Sequence, residues 1–132
     1  MKLVNLTASL VFLGCAASYA QQSPQPKITP VIQSSISGQT DKEFALVSIE
    51  WPPGSTSPRH THPGDEYGTV ILGAFSVKLE NGDWKTFKQG EAWHVPAGVV
   101  HEAKNTTFGI TRTMNAYVVE KGKSLIQLLG QP

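Results

Sequence analysis

The stretch AFSVKLENGDWKTF, residues 74–87, decides the fold. Phe75, Val77 and Leu79 alternate with Ser76, Lys78 and Glu80, the period of two that gives an extended strand one buried and one wet face. Asn81-Gly82 follows, two residues that readily take positive φ, so a tight hairpin is expected there. Working outward, YGTVILG (67–73) is a short apolar run bounded by turn residues, and EFALVSIEW (43–51) is an apolar strand closed by Pro52-Pro53. EAWHVPAGVVHEA (91–103) reads as two brief strands around a Pro96-Ala97-Gly98 turn. FGITRTMNAYVVE (108–120) and SLIQLL (124–129) complete a set of eight to ten short strands. No helical period of any length interrupts them. Many short strands must bury one face and hide their edges, which predicts an all-β fold, an antiparallel jelly-roll β-barrel.

The chain has 132 residues, the size of one domain, and its 12 Gly and 9 Pro suit a turn-rich architecture. Eleven Lys and Arg face ten Asp and Glu, with no basic block, which argues against nucleic acid as a partner. The first twenty residues differ from the rest: Lys2, an apolar run from Leu3 to Ala17, and the small residues Ser18 and Ala20 before Gln21. This is the pattern of a secretory signal peptide (1–20), too short and wrongly flanked for a membrane span. A secreted or periplasmic protein is therefore expected, with Cys15, the only cysteine, lost on cleavage. A lipoprotein reading, with Cys15 as the acylated residue, fits Phe12 poorly. Residues 21–30 are Pro/Gln-rich and read as an extended leader before a barrel domain at 31–132. Asn105-Thr106-Thr107 is formally a glycosylation sequon, expected to carry no meaning here.

PRHTHPGDEYG (58–68) raises the question of chemistry. His60 and His62 alternate with Thr61, so on an extended strand their imidazoles leave the same face. Pro63-Gly64 turns the chain and lets Glu66 bring a carboxylate to the same point. Imidazole with carboxylate suits a divalent transition metal. The spacing alone is more often that of a solvated turn.

A wider pattern surrounds it. Gly54, His60, His62, Glu66 and Gly73, and then Gly90, Pro96, Gly98, His101 and Asn105, resemble the two motifs of the cupin superfamily, each complete in spacing. The resemblance implies a jelly-roll barrel holding one divalent metal ion (iron, manganese, nickel, copper or zinc), with His60, His62, Glu66 and His101 as ligands. Three neutral imidazoles and one carboxylate would leave about one positive charge on the ion, and an octahedral ion would keep two open positions. Those positions point to an oxidoreductase of the dioxygenase type acting on a small organic molecule, with Glu66 leaving the metal to act as a catalytic base. The alternatives are an isomerase or lyase using the ion as a Lewis acid, with His94 or Glu102 moving protons, and a non-catalytic metal- or ligand-binding protein. A homodimer is implied too.

Among the remaining residues, His94 is expected to be a core or rim histidine and Arg59 a surface residue. Trp51, Phe75, Trp93 and Tyr117 are expected in the core. Arg112 and Met114 share one face of a late strand and are candidates to reach the cavity. Asn105 reads as a turn or hydrogen-bonding residue.

Overall fold

The structure, a computed structural model, describes residues 23–129. The expected signal segment, with Cys15, lies outside the described residues. Ten strands follow one another: β1 (Lys27–Ser35), β2 (Lys42–Trp51), β3 (His60–Thr61), β4 (Gly64–Leu72), β5 (Ala74–Leu79), β6 (Lys85–Lys88), β7 (Ala92–Val95), β8 (His101–Lys104), β9 (Thr111–Glu120) and β10 (Gln127–Leu128). No helix occurs among the described residues, so none there is long and apolar enough to cross a membrane.

The strands form two five-stranded antiparallel sheets, ordered β1-β2-β9-β4-β7 and β10-β3-β8-β5-β6. Alternation along each strand decides what faces the interior. From the first sheet Val47, Ile49, Trp51, Val70, Trp93, Val95, Tyr117 and Val119 point inward, and from the second Phe75, Val77 and Ala103. Their aromatic rings pack in a row: Trp51 lies 4.5 Å from Phe75, and Phe75 lies 5.3 Å from Trp93. The jelly-roll expectation is met, and so is the placing of Trp51, Phe75, Trp93 and Tyr117 in the core. β1 starts at Lys27, inside the segment read as a leader, and pairs along β2.

Two glycine positions show why a side chain is missing. Gly73 joins β4 to β5 at φ 82°, a left-handed conformation that costs an L-residue dearly, and a Cβ there would also press on Thr111. Gly68 has ordinary φ but stands opposite Trp93, whose ring occupies the space a Cβ would need.

The hairpin after β5 forms differently from its expectation. Neither Asn81 nor Gly82 takes positive φ. Instead the Gly82 amide donates to Leu79 O at 2.9 Å, an ordinary bonded turn, and β5 and β6 pair only from Val77↔Lys85 inward. The end of β5 is claimed by its other neighbour: Lys78 and Leu79 pair with Glu102 and His101 of β8, and the Glu80 amide donates to Val100 O. With the strand held on that side, the connection to β6 is long and needs no mirror-image turn.

Candidate metal centre

β3 meets the first residue of β8, which sets His60 opposite His101 in the second sheet. His62 follows β3 directly, and the chain then enters β4 in the first sheet, where Glu66 shares the inward face with Gly64, Gly68 and Val70. The four side chains therefore come from both sheets and meet between them. All are buried, with at most 7% of any of these residues exposed. The rings of His60, His62 and His101 lie 4.1–4.9 Å apart, and one nitrogen from each falls within 4.8 Å of the others. Nitrogens around one first-row ion, each at about 2.1 Å, stand roughly 3 to 4 Å apart. Three buried histidines can thus hold a metal ion after small ring adjustments.

The hydrogen bonds of the rings say which nitrogens face the centre. His60 Nδ1 lies 2.8 Å from Pro58 O, His62 Nδ1 2.6 Å from Leu125 O, and His101 Nδ1 3.1 Å from Val99 O. A carbonyl oxygen can only accept, so each Nδ1 carries the proton and each neutral ring turns an Nε2 lone pair inward. This is the tautomer a metal-binding histidine needs, fixed by backbone rather than left to chance. Glu66 Oε2 then lies 3.0 Å from His62 Nε2 and 3.2 Å from His101 Nε2. Lone pairs facing lone pairs at such distances repel unless positive charge sits between them, as protons on the rings or as a cation. The donor set therefore fits a divalent ion.

Electrostatics agree with that reading. Burial, helped by the neighbouring imidazoles, pushes His60 from its ordinary 6.5 down to about 4, so its lone pair is free at neutral pH. Burial alone would raise Glu66, but its contacts with His101 and His62, once positive charge lies between rings and carboxylate, outweigh it and hold the carboxyl well below the usual range. Burial and the facing Glu66 carboxylate push the Tyr117 phenol well above its ordinary value, so it remains a neutral hydrogen-bond donor beside His62.

Glu66 Oε1 accepts from Asn115 Nδ2 at 2.5 Å, and Asn115 Oδ1 accepts from Thr113 Oγ1 at 2.8 Å. Sequence reasoning missed both residues, and also the Leu125 carbonyl. A signal for the first two existed: they share strand parity with Tyr117, so they are polar residues on an inward face. Nothing in the sequence marks a backbone carbonyl.

A cavity of about 190 Å³ opens beside these groups, walled mainly by Val47, Ile49, Phe75, Trp93 and Tyr117. Gln25, Pro26 and Ile28 from the first described segment, with Leu125 and Ile126 from the last, also line it. Arg112 and Met114 do not reach it. They sit on the outward parity of β9, where Arg112 pairs with Glu50, while Thr113, Asn115 and Tyr117 take the inward positions. His94 is neither core nor close to the centre: it is exposed on the outer face, stacked 4.7 Å from Tyr67 and 3.4 Å from Asp65. Glu102, with outward parity beside Lys78, also points away. Arg59 is at the surface, paired with Glu80. Asn105 is buried and hydrogen-bonds Trp51 O and Gly109 O through Nδ2, which leaves that nitrogen closed to glycan attachment.

Comparison with known proteins bears on the fold and the family. The HTH-type transcriptional regulator PuuR of Escherichia coli is 28% identical over 81 residues, which are 61% of this chain and 43% of that protein. The chain thus spans less than half the length of this relative. Among solved structures, a conserved protein with a double-stranded beta-helix domain from Klebsiella pneumoniae superposes with TM-score 0.63 at 21% identity, covering 80% of this chain and 86% of that one. The polyketide cyclase RemF from Streptomyces resistomycificus gives TM-score 0.64 at 19% identity, over 83% and 75% of the two chains. At such identities the two structures speak for the fold alone. The sequence pattern of the Cupin domain matches residues 47–119, from inside β2 to the end of β9, and the chain belongs to that family.

Proposed function

We propose that the protein is an exported metal-dependent enzyme, an oxidoreductase of the dioxygenase type, in which His60, His62, His101 and Glu66 hold one divalent transition ion. The observation that carries this is the set of three inward Nε2 lone pairs, two of them facing one carboxylate oxygen, at the wall of an apolar cavity. Bound there, iron, manganese, nickel or copper would supply redox chemistry, and zinc would supply Lewis acidity alone. The chain's own residues set what enters. No Lys or Arg lines the cavity among the described residues, so a polyanionic substrate would find no counter-charge beyond the ion. Valine, isoleucine and aromatic walls favour a small, mostly apolar molecule, and about 190 Å³ is less than the roughly 300 Å³ at which drug-sized pockets begin. Tyr117 lines the same cavity, with its hydroxyl beside Glu66 and Asn115.

Two tests apply. Metal analysis of protein purified without added metal should find one ion per chain, lost in His62→Ala. Oxygen uptake by the iron-, manganese-, nickel- or copper-loaded protein should appear with some member of a panel of phenols, diketones and thiols. Turnover that persists without oxygen and with zinc would select the isomerase or lyase reading instead.

The likeness to PuuR favours a second reading, in which the domain binds a small ligand without turning it over. Ligand-dependent stabilisation with no product would select it. Nucleic acid is not the proposed partner in either case, since eleven Lys and Arg are balanced by ten Asp and Glu and form no basic block.

A further inference from the structure

The support behind Glu66 begins at an indole. Trp51 Nε1 lies 3.0 Å from Thr113 Oγ1, Thr113 Oγ1 lies 2.8 Å from Asn115 Oδ1, and Asn115 Nδ2 lies 2.5 Å from Glu66 Oε1. The four residues come from β2, β9 and β4, and all are buried. A hydroxyl can donate or accept, and an amide can turn either end toward a partner. An indole N–H can only donate. Thr113 therefore accepts from Trp51, and at the other end the ionised Glu66 carboxylate can only accept. The carboxylate fixes the amide, whose Nδ2–H points at Glu66 Oε1 while its Oδ1 takes the Thr113 proton. A donor-only group at one end and an acceptor-only group at the other give the chain a single direction.

The two oxygens of Glu66 are thereby divided. Oε1 is held by Asn115, while Oε2 alone faces His62 and His101. We propose that Trp51, Thr113 and Asn115 are positioning residues that make Glu66 a fixed ligand through one oxygen, rather than a base that swings away from the ion. The proposal rests on the metal reading above. It revises the role that the family resemblance implies for Glu66, because departure from the ion would have to break a buried, directed hydrogen bond.

The test compares Thr113→Val, which removes the hydroxyl at nearly constant shape, with Thr113→Ser, which keeps it. Trp51→Phe, which removes the indole N–H donor together with part of the ring's volume while leaving the hydroxyl in place, is a second probe should the valine variant fail to fold. Chelator competition measures affinity for Cu²⁺, and electron paramagnetic resonance of the Cu²⁺-loaded protein reads the coordination. Thr113→Val should bind roughly 10–100-fold more weakly, as for other groups that support metal ligands, with altered g and hyperfine values. Thr113→Ser should restore both, and Trp51→Phe should shift both in the same direction as Thr113→Val. A wild type that binds no Cu²⁺ would sink the metal reading and this proposal with it. A wild type that binds, beside Thr113→Val and Trp51→Phe variants with unchanged affinity and spectrum, would overturn the positioning role alone. A change in thermal stability with an unchanged spectrum would likewise count against it, since a merely structural contact would behave that way.

Discussion

Substituting Gly68 by alanine tests the packing that shapes the cavity. An alanine Cβ at this position would sit 2.1 Å from Trp93 Cζ2 and 2.2 Å from Cε2, far inside van der Waals contact. The indole must retreat by more than an ångström. Phe75 and Phe87 already pack against it at 5.3 and 5.5 Å, and the free space beside it is the cavity it lines. Overpacking of this kind costs about 1–3 kcal/mol, which in a domain of this size lowers the melting temperature by roughly 5–20 °C. Urea denaturation followed by tryptophan fluorescence gives the free energy. A double-mutant cycle assigns the cause: in a Trp93→Leu background the cost of Gly68→Ala should shrink by about 1 kcal/mol or more, since contacting residues couple on that scale. If the two substitutions add within about 0.5 kcal/mol, the ring is not what excludes a side chain at 68.

Three other outcomes are expected. Divalent metal at a hundredfold excess over its dissociation constant should stabilise the wild type by about 2.7 kcal/mol, a thermal shift of roughly 10 °C or more; His62→Ala should show none, and an equal shift in the variant would place the ion elsewhere. In metal-free protein, stability should fall as pH drops from 6.5 towards 4, because the unfolded chain protonates His60 in that window while the folded one, with its value lowered to about 4, does not. A His60→Gln variant with the same slope in chelator-treated denaturation curves would refute that assignment. Finally, the outer face of the first sheet carries Phe44, Leu46, Ala116 and Val118 as register neighbours, each partly exposed, with Ile32 beside them. A homodimer through this face should appear in light scattering and dissociate on Leu46→Lys; a monomer at all working concentrations would exclude it.

What the sequence reveals of this fold follows from how local each signal is. Period-two alternation in Phe75–Val77–Leu79 is a property of a single strand, so it is legible without knowing the neighbours. The glycines of the two motifs likewise announce themselves: Gly54, Gly73, Gly90 and Gly98 all take positive φ. The Asn81-Gly82 turn differs from its expectation because its type depends on where β5 leaves off pairing with β6, and that is settled by β8, a strand that comes twenty residues later. Arg112 and Met114 illustrate the parity problem. Either face of β9 could be inner on composition, and the choice is made by its register with β2 and β4, where Thr113 lies opposite Ile49 and Tyr117 opposite Glu66.

The inner face of β9 reads Thr111, Thr113, Asn115, Tyr117, Val119, polar at one end and apolar at the other. Stability alone gives no reason for the polar half. A buried hydroxyl or amide left unpaired costs about 1–3 kcal/mol, whereas replacing both partners by apolar groups of the same shape is close to neutral. A barrel built only to fold would be as well served by valine and leucine there. Instead every buried side-chain polar atom among the described residues has a partner, and in the interior the partners lead from Trp51 through β9 to a single carboxylate. A polar core so completely satisfied, and so narrowly directed, makes sense only if the position of Glu66 matters to something the protein binds. The backbone carbonyls that fix the three histidine tautomers point to the same conclusion from the opposite sheet and from a segment beyond β9. Independent parts of the chain thus constrain both halves of one donor set, and a solvated loop would need neither.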